Sequence, residues 1–307
     1  MLKLKTFLIL SGLLLTSVNV KADTNFKVIG YQKYNTVKRF DHSSYQYLDQ
    51  LIYKLIRVKS SGELELLPST ISDINLLQQR KRKNKHTTPL LIGVGGAKFN
   101  SKHFAQMASQ RQSRERFAQQ LVQFCLEHQL NGVDVDWEYP RSREEKINAQ
   151  KMFKELHRQF NPHDLTLTAA INYAPDQIKF AKHVEPYVDQ INLMVYEPME
   201  GLATFHQQID YAITLVEQEL LDKSKLYIGL PFYGKSLKTG DALPFYEIQM
   251  LANHEQLPND IHYFKPSDVG FYTSKFKRHG FAGVMFWELG FDDNNGSLLK
   301  AINNAHN

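Results

Sequence analysis

Three carboxylates stand at alternate positions in the segment NGVDVDWEYP, residues 131–140. In an extended strand, residues two apart point to the same face, so Asp134, Asp136 and Glu138 share one face, with Cα atoms roughly 7 Å apart. Three like charges in a confined interior cannot all ionise cheaply, so we expect at least one proton to be retained near neutral pH. This spacing favours acid–base catalysis, because a carboxyl group that keeps its proton can donate it.

The position of Glu138 nearest to the strand end makes it the candidate acid. Val133, Val135 and Trp137 point to the opposite face, which predicts an inner strand covered by helices. An exposed edge strand with polar residues on its wet face is the alternative interpretation.

Eight short apolar runs alternate with longer amphipathic segments. The runs are residues 26–31, 51–58, 89–96, 131–138, 165–171, 190–196, 226–234 and 281–288. Between runs, apolar residues recur at helical spacing, as at Phe117, Leu121 and Cys125. Eight strands with helical crossovers predict an α/β fold, a (β/α)8 TIM barrel, and a doubly wound open sheet is the alternative. Catalytic groups of a barrel lie at the carboxyl ends of its strands, where this chain places polar and aromatic residues.

The first residues predict a secretory signal peptide. Lys3 and Lys5 precede an uncharged apolar run, and Val20 and Ala22 are small residues at a cleavage-site spacing, so we expect residues 1–22 to be removed. An uncleaved anchor is the alternative. The remaining residues, 23–307, contain no linker or repeat, which predicts a single catalytic domain. The signal peptide predicts that this domain is secreted or periplasmic, and we expect it to be a monomer.

Charge and cysteine content narrow the class of protein. Loss of residues 1–22 removes three lysines and no acid, so the formal charge falls from +5 to +2. A nearly neutral chain argues against a nucleic-acid partner. The basic run at residues 80–86 is interpreted as a solvated helix end. Cys125 is the only cysteine, which excludes an internal disulfide and is interpreted as buried filler.

The segment NGVDVDWEYP is similar to the D-G-x-D-x-D-x-E signature of family 18 glycoside hydrolases, the chitinase family. Other segments resemble further barrel strands of that family: VIGY (28–31), LLIGVGG (90–96), INLMVYE (191–197), IGLPFYG (228–234) and GVMFWEL (283–289). The resemblance implies a (β/α)8 barrel. It also implies retaining, substrate-assisted hydrolysis, in which the 2-acetamido carbonyl of the sugar attacks the anomeric carbon and forms an oxazolinium intermediate.

The resemblance also implies roles for residues of this chain. Glu138 resembles the general acid and later base, Asp136 the carboxylate that orients the acetamido N–H, and Asp134 its buried partner, with a proton shared between the aspartates. Tyr196 resembles the hydroxyl that holds the acetamido carbonyl. Expected sugar contacts are Trp287, Met194, Glu197, Tyr31, Tyr139 and Tyr233. Core packing is the alternative for the tryptophan and the methionine.

Four positions depart from the family pattern or have no counterpart in it. Asn131 replaces the first Asp of the signature, and Glu197 replaces the Asp that follows the tyrosine. Gly93 replaces the serine of S-x-G-G, so a hydroxyl that commonly supports the buried aspartate is missing. Lys54 interrupts the second strand, and we expect its ammonium to snorkel to the barrel rim. The alternative is that it points into the lumen and pairs with the carboxylates.

The signal peptide predicts an exported enzyme. The family resemblance implies a glycosidase of the chitinase type that cleaves β-1,4 linkages next to N-acetylglucosamine in chitin or chito-oligosaccharides. Peptidoglycan or N-glycans are alternative substrates, and a non-catalytic chitin-binding lectin is the alternative class. The interval from Gly234 to Gly280 is too short for the α+β domain of deep-cleft members, which favours an open groove and endo-type cleavage. No metal or organic cofactor is expected, since neither ligand spacing nor a phosphate loop is present.

Overall fold

The computed structural model describes residues 26–39, 42–83, 85–96, 101–197 and 199–306. The predicted signal peptide, residues 1–22, lies outside them. The strands within these ranges are β1 (Lys27–Lys33), β2 (Gln50–Val58), β3 (Leu64–Glu65), β4 (Leu90–Gly95), β5 (Gly132–Asp136), β6 (Thr166–Asn172), β7 (Gln190–Met194), β8 (Leu226–Pro231), β9 (Tyr233–Ser236), β10 (Ala242–Pro244), β11 (Ile261–His262) and β12 (Gly283–Trp287).

Eight of these strands close into a parallel barrel. Their order is β1, β12, β8, β7, β6, β5, β4 and β2, and β1 also pairs with β2, which completes the circle. β3 only extends β2 in the antiparallel direction. Closure excludes the doubly wound open sheet and confirms the predicted (β/α)8 barrel.

Helices surround the barrel. They are α1 (Thr70–Lys83), α2 (Ser101–Ser109), α3 (Arg111–Glu127), α4 (Arg143–Phe160), α5 (Pro175–Val184), α6 (Phe205–Gln218), α7 (Phe245–Asn253), α8 (Pro266–Arg278) and α9 (Ser297–His306). The basic run ends α1, as predicted: four of its cations occupy the last turn of that helix, where they complement the helix dipole. No helix in the described ranges has the length and apolar composition needed to cross a bilayer.

β5 is an inner strand, as its two-faced pattern predicts. It pairs with β4 on one side and with β6 on the other. Val133 and Val135 are buried on its outer face, and the Trp137 ring stacks on Phe104 of α2 with centroids 5.5 Å apart. The edge-strand alternative for β5 is therefore wrong. Cys125 of α3 is buried and free, which confirms its interpretation as filler.

The chain leaves β5 through a tightly fixed turn. The Ser142 side chain accepts a hydrogen bond from the Glu145 N–H at 3.0 Å, and the Glu145 carboxylate accepts one from the Ser142 N–H at 3.0 Å. This capping box begins α4 and satisfies two N–H groups that the helix leaves free. It fixes the segment that directly follows Glu138.

The interval between β8 and β12 contains a small sheet. β9 pairs with β10 and β11 in the antiparallel direction, α7 follows β10, and α8 leads back to the barrel. Besides the strand–helix connection, the interval thus contains three short strands and one short helix, so any inserted α+β unit is vestigial.

Candidate active site

The carboxyl ends of the barrel strands open into a cleft of about 530 Å³. This volume suits a ligand of a few sugar rings or a small organic molecule. The predicted site residues that line it are Asp136, Glu138, Tyr139, Met194, Tyr196, Glu197, Tyr233 and Trp287. Sequence reasoning missed other lining residues: Lys33, Tyr34, Leu55, Gly96 and Arg141. The remaining two predicted residues, Asp134 and Tyr31, lie beneath the cleft.

Asp134 is fully buried and is held by neutral donors. It accepts hydrogen bonds from Tyr31 Oη at 3.0 Å, from Thr168 Oγ1 at 2.5 Å and from Asn192 Nδ2 at 3.1 Å. Asn192 Nδ2 also donates to Tyr31 Oη at 2.9 Å, which links the donors to one another. These three side chains supply the support that the serine missing at position 93 would give.

Tyr31 serves this network and is not placed as a sugar contact. Its side chain is 2% exposed, and its hydroxyl is committed to Asp134. Burial, and secondly the negative charge of Asp134, raise the pKa of Tyr31 well above its usual value. The phenol therefore stays neutral and donates its hydrogen bond at any physiological pH, which corrects our expectation that Tyr31 would face the substrate.

Asp136 has a different kind of partner. It is fully buried, and its Oδ2 contacts the ammonium of Lys54, which is 4% exposed. Oδ1 has no hydrogen-bond partner within the described ranges. The expectation that Lys54 reaches the barrel rim is wrong, and the lumen alternative is confirmed. The contacts of the two aspartates also differ from the expected shared proton: Asp134 is hydrogen-bonded to three neutral side chains, Asp136 is paired with Lys54, and no hydrogen bond joins the two aspartates in the described structure.

Glu138 lies one residue beyond Trp137, after the end of β5, and is partly exposed in the cleft. Glu197 lies after the end of β7 and also lines the cleft. Burial, and secondly the negative charge of Glu138, raise the pKa of Glu197, and the charges of Lys235 and Lys54 partly oppose this. The cleft thus presents two interacting carboxyl groups to a ligand.

Tyr196 lines the cleft although its side chain is largely buried, and its backbone is held firmly. Lys235 Nζ and Tyr233 Oη donate hydrogen bonds to its carbonyl oxygen at 3.0 and 3.4 Å. Among the described residues, its own hydroxyl donates to the sulfur of Met285, at 3.7 Å. A thioether is a weak acceptor, so this hydroxyl is available to a better acceptor in a ligand. Burial raises the pKa of Tyr196 well above its usual value, which keeps the hydroxyl a donor.

Trp287 ends β12 and is partly exposed, so it is not ordinary core filling. Its ring lies 5.8 Å from the Tyr31 ring, and Lys54 Nζ lies 5.5 Å from its centroid. An aromatic face in a cleft is a suitable surface for the apolar side of a sugar ring. The neighbouring Glu288 is fully buried and accepts hydrogen bonds from the backbone N–H of Lys33 and from Thr36 Oγ1, both at 2.9 Å, so it supports the structure.

Within the described ranges, no group of three or more His, Cys, Asp or Glu side chains is arranged to hold a metal ion.

The residues that position Asp134 had one detectable sequence signal. Thr168 and Asn192 are polar residues inside otherwise apolar strand runs, and such positions in a barrel face the lumen. Without the register between strands, the sequence does not connect them to a particular carboxylate.

The closed (β/α)8 barrel and the carboxylates at the carboxyl end of β5 place this chain in the class of barrel proteins that have a polar cleft at the strand ends. Comparison with known proteins identifies the family. The model of glycosyl hydrolases family 18 matches residues 27–292, and the chain belongs to this family. The resemblance noted in the sequence is thereby confirmed.

Two curated relatives are chitinases by name. Chitotriosidase-1 of Mus musculus is 25% identical over 295 residues, which cover 74% of this chain and 63% of that protein. Probable chitinase 2 of Drosophila melanogaster is 27% identical over 179 residues, which cover 52% of this chain and 37% of that protein. The matched regions thus span less than two thirds of either relative.

Solved structures share the fold. A GH18 chitinase from Cycas revoluta in complex with (GlcNAc)3 matches with a TM-score of 0.80 at 19% identity, covering 92% of this chain and 100% of that chain. A class V chitinase from Nicotiana tobaccum matches with a TM-score of 0.77 at 17% identity, covering 90% and 99%. The barrel of this chain is therefore the barrel of these proteins.

Proposed function

We propose that this chain is a glycosidase that hydrolyses β-1,4 linkages next to N-acetylglucosamine, with chitin oligosaccharides as the favoured substrates. The observation that carries the proposal is the convergence of Glu138, Asp136 and Tyr196 on one cleft whose wall includes the Trp287 ring. Curated relatives named as chitinases, and a neighbour solved with (GlcNAc)3, support the same substrate class.

The proposed reaction uses the acetamido group of the substrate as nucleophile. Glu138 protonates the glycosidic oxygen, the acetamido carbonyl oxygen bonds to the anomeric carbon, and the leaving sugar departs with that proton. The product is an oxazolinium ion. Asp136 accepts the acetamido N–H and offsets the positive charge, and Tyr196 Oη exchanges its weak sulfur contact for the acetamido carbonyl.

The second half of the reaction regenerates the enzyme. Glu138, now ionised, takes a proton from water while the water oxygen attacks the anomeric carbon and the oxazolinium ring opens. Two displacements at the same carbon retain its configuration. The open interval between β8 and β12 supports an endo-acting groove, and the apolar segment before Ala22 supports export.

The test is turnover of a chromogenic chito-oligosaccharide by the wild type, Glu138→Gln and the matched control Glu144→Gln. Glu144 is an exposed carboxylate in the first turn of α4, so its loss should leave turnover unchanged. Loss of the acid should lower kcat by about 10²- to 10⁴-fold. Undiminished hydrolysis in Glu138→Gln refutes the assignment, and oligosaccharide binding without wild-type turnover supports a lectin instead.

The substrate is tested by comparing products from chitin oligomers, muropeptides and a high-mannose glycan under the same conditions. We expect cleavage of the chitin oligomers, and a digest of polymeric chitin should give products longer than dimers at the earliest times. Exclusive cleavage of either other substrate overturns the chitin assignment. Early release of mainly single sugars or dimers overturns the endo mode.

A further inference from the structure

We propose that Lys54 is a positioning residue that holds the Asp136 carboxylate in its ionised form, and that position 93 is glycine because this lysine needs the space. The inference rests on the proposed function where it concerns the reaction. The pairing itself stands on contacts inside the barrel and is testable without a substrate.

The register of the barrel places Lys54 in the same layer as the carboxylates. Lys54 of β2 pairs with Gly93 of β4, and Gly93 pairs with Asp134 of β5. Residues that pair across neighbouring strands point to the same face of the sheet. Because Asp134 points into the lumen, Lys54 does so too. Its ammonium reaches Asp136, which lies two residues beyond Asp134 on β5 and on the same face.

The two aspartates are held by different chemistry. Asp134 has three neutral donors, whereas the described partner of Asp136 is the single cation of Lys54. A buried carboxylate needs a donor or a countercharge, and removing its partner leaves an uncompensated charge. Lys54 therefore decides both the direction and the charge state of Asp136.

Gly93 completes this arrangement. A Cβ atom added at Gly93 would lie 2.6 Å from Cγ of Lys54, 3.2 Å from its Cε and 3.3 Å from its Cδ. These atoms form the stem of a fixed side chain, so the lysine would have to move. The backbone of Gly93 is not among those with positive φ, and glycine is thus not required there for conformation. It is required for room.

Several charged and titratable groups face the ammonium. Besides Asp136, the negative charges of Glu138, Asp134 and Glu197 act on it, and the Tyr31 and Trp287 rings lie 5.7 and 5.5 Å from Nζ. Burial lowers the pKa of Lys54, and these carboxylates oppose that change. Beyond Glu197 lies Lys235, whose charge acts on that carboxylate. Lys54 is thus the cation in contact with Asp136, and its ammonium also lies in the field of Glu138.

This position has a consequence for the reaction. An ammonium in contact with the Asp136 carboxylate favours the charged form of that carboxylate. Asp136 is then ionised and correctly oriented before the oxazolinium forms, which avoids reorganisation during the reaction. Removal of the cation should shift the acid limb of the pH–kcat profile, which reports the ionisation of Asp136, to higher pH.

The first test compares Lys54→Met with the control Lys225→Met. The Lys225 ammonium donates to the Glu185 and Val188 carbonyls just before β8, at the end of the barrel opposite the cleft. On a chito-oligosaccharide, Lys54→Met should shift the acid limb of the pH–kcat profile to higher pH by about one unit or more and lower kcat by about 100-fold, with a smaller change in KM. Lys225→Met should shift neither limb. An unchanged profile in Lys54→Met overturns the proposal.

A second set of variants guards against simple misfolding. Gly93→Ser alone should lower kcat, because its Cβ displaces Lys54. In the Lys54→Ala background, the same change should cost little, since the atoms it would meet are gone. Equal losses in both backgrounds overturn the role of Gly93. Alkylation of Lys54→Cys with 2-bromoethylamine should restore the original pH profile by restoring an amine, and failure to restore it refutes the positioning role.

A substrate-free measurement separates this inference from the proposed function. Thermal unfolding of Lys54→Met, Asp136→Asn and the double variant forms a cycle, and a coupled pair gives a double variant more stable than the sum of single losses predicts. Additive losses overturn the pairing. Wild-type inactivity on every glycan combined with strong coupling refutes the proposed function and leaves the Lys54–Asp136 pair in place.

Discussion

Thr168→Val tests how the buried Asp134 is stabilised. Valine keeps the shape and the β-branch of threonine, so it leaves no cavity and suits the strand. It removes only the hydroxyl that donates to Asp134 Oδ1 at 2.5 Å. A hydrogen bond to a charged group contributes about 1.5–3 kcal/mol to stability. Two donors remain, so we expect the free energy of unfolding to fall by about 2 kcal/mol.

Thr273→Val is the matched control. Thr273 is also fully buried, but its hydroxyl donates to the Val269 carbonyl within α8, at 2.8 Å. That acceptor is neutral, so the loss should be about 1 kcal/mol or less. Urea and thermal unfolding followed by circular dichroism measure both variants, with an expected fall in Tm of about 4 °C for Thr168→Val. A loss no larger than that of the control refutes the idea that the Thr168 hydroxyl stabilises Asp134 more than an ordinary buried hydrogen bond would.

Two further predictions concern titratable groups away from the reaction. Burial raises the pKa of Glu288 from 4.5 to about 6, so the folded state binds its proton more tightly than the unfolded state, and the free energy of unfolding should fall by up to about 2 kcal/mol as pH rises through this range. In Glu288→Gln, urea titrations should show a smaller difference in the free energy of unfolding between pH 4.5 and pH 7.5, because the contribution of Glu288 is lost and that of Asp292 remains. Burial also raises the pKa of Asp292 to about 6. A difference equal to that of the wild type contradicts the assignment. Burial raises the pKa of the Cys125 thiol to about 12, so iodoacetamide at pH 8 should label it only in urea, as read by mass spectrometry, and labelling of the native protein counts against its burial.

The barrel itself was predictable because its signals are local. Each of the eight apolar runs overlaps a barrel strand, and the helical spacing of Phe117, Leu121 and Cys125 falls in α3. Alternation along residues 133–138 also separated the lumen face of β5 from its helix face correctly. These patterns repeat within a few residues, and the physics that produces them acts over the same distance.

The surroundings of the carboxylates were not predictable in this way. The hydrogen bond from Asn192 to Tyr31 joins residues 161 positions apart, and no local pattern specifies that separation. Tyr31 illustrates the result: its type suits a sugar contact, and only the register of β1 against its neighbours shows that its hydroxyl is used by Asp134. Sequence reasoning named many of the residues that line the cleft, missed others such as Lys33 and Arg141, and misassigned the partner of Tyr31.

The misassigned partners follow from treating the acidic residues of β5 as an isolated group. Three carboxylates without a cation predict that at least one proton is retained, and the family resemblance implied that Asp134 and Asp136 share it. Lys54 changes the sum of charges in the lumen, so Asp136 has a countercharge and Asp134 is left to neutral donors. In the sequence, a lysine within an apolar strand and a glycine in place of a serine are separate oddities. In the barrel they are adjacent in register, and the glycine is what allows the lysine to reach the aspartate.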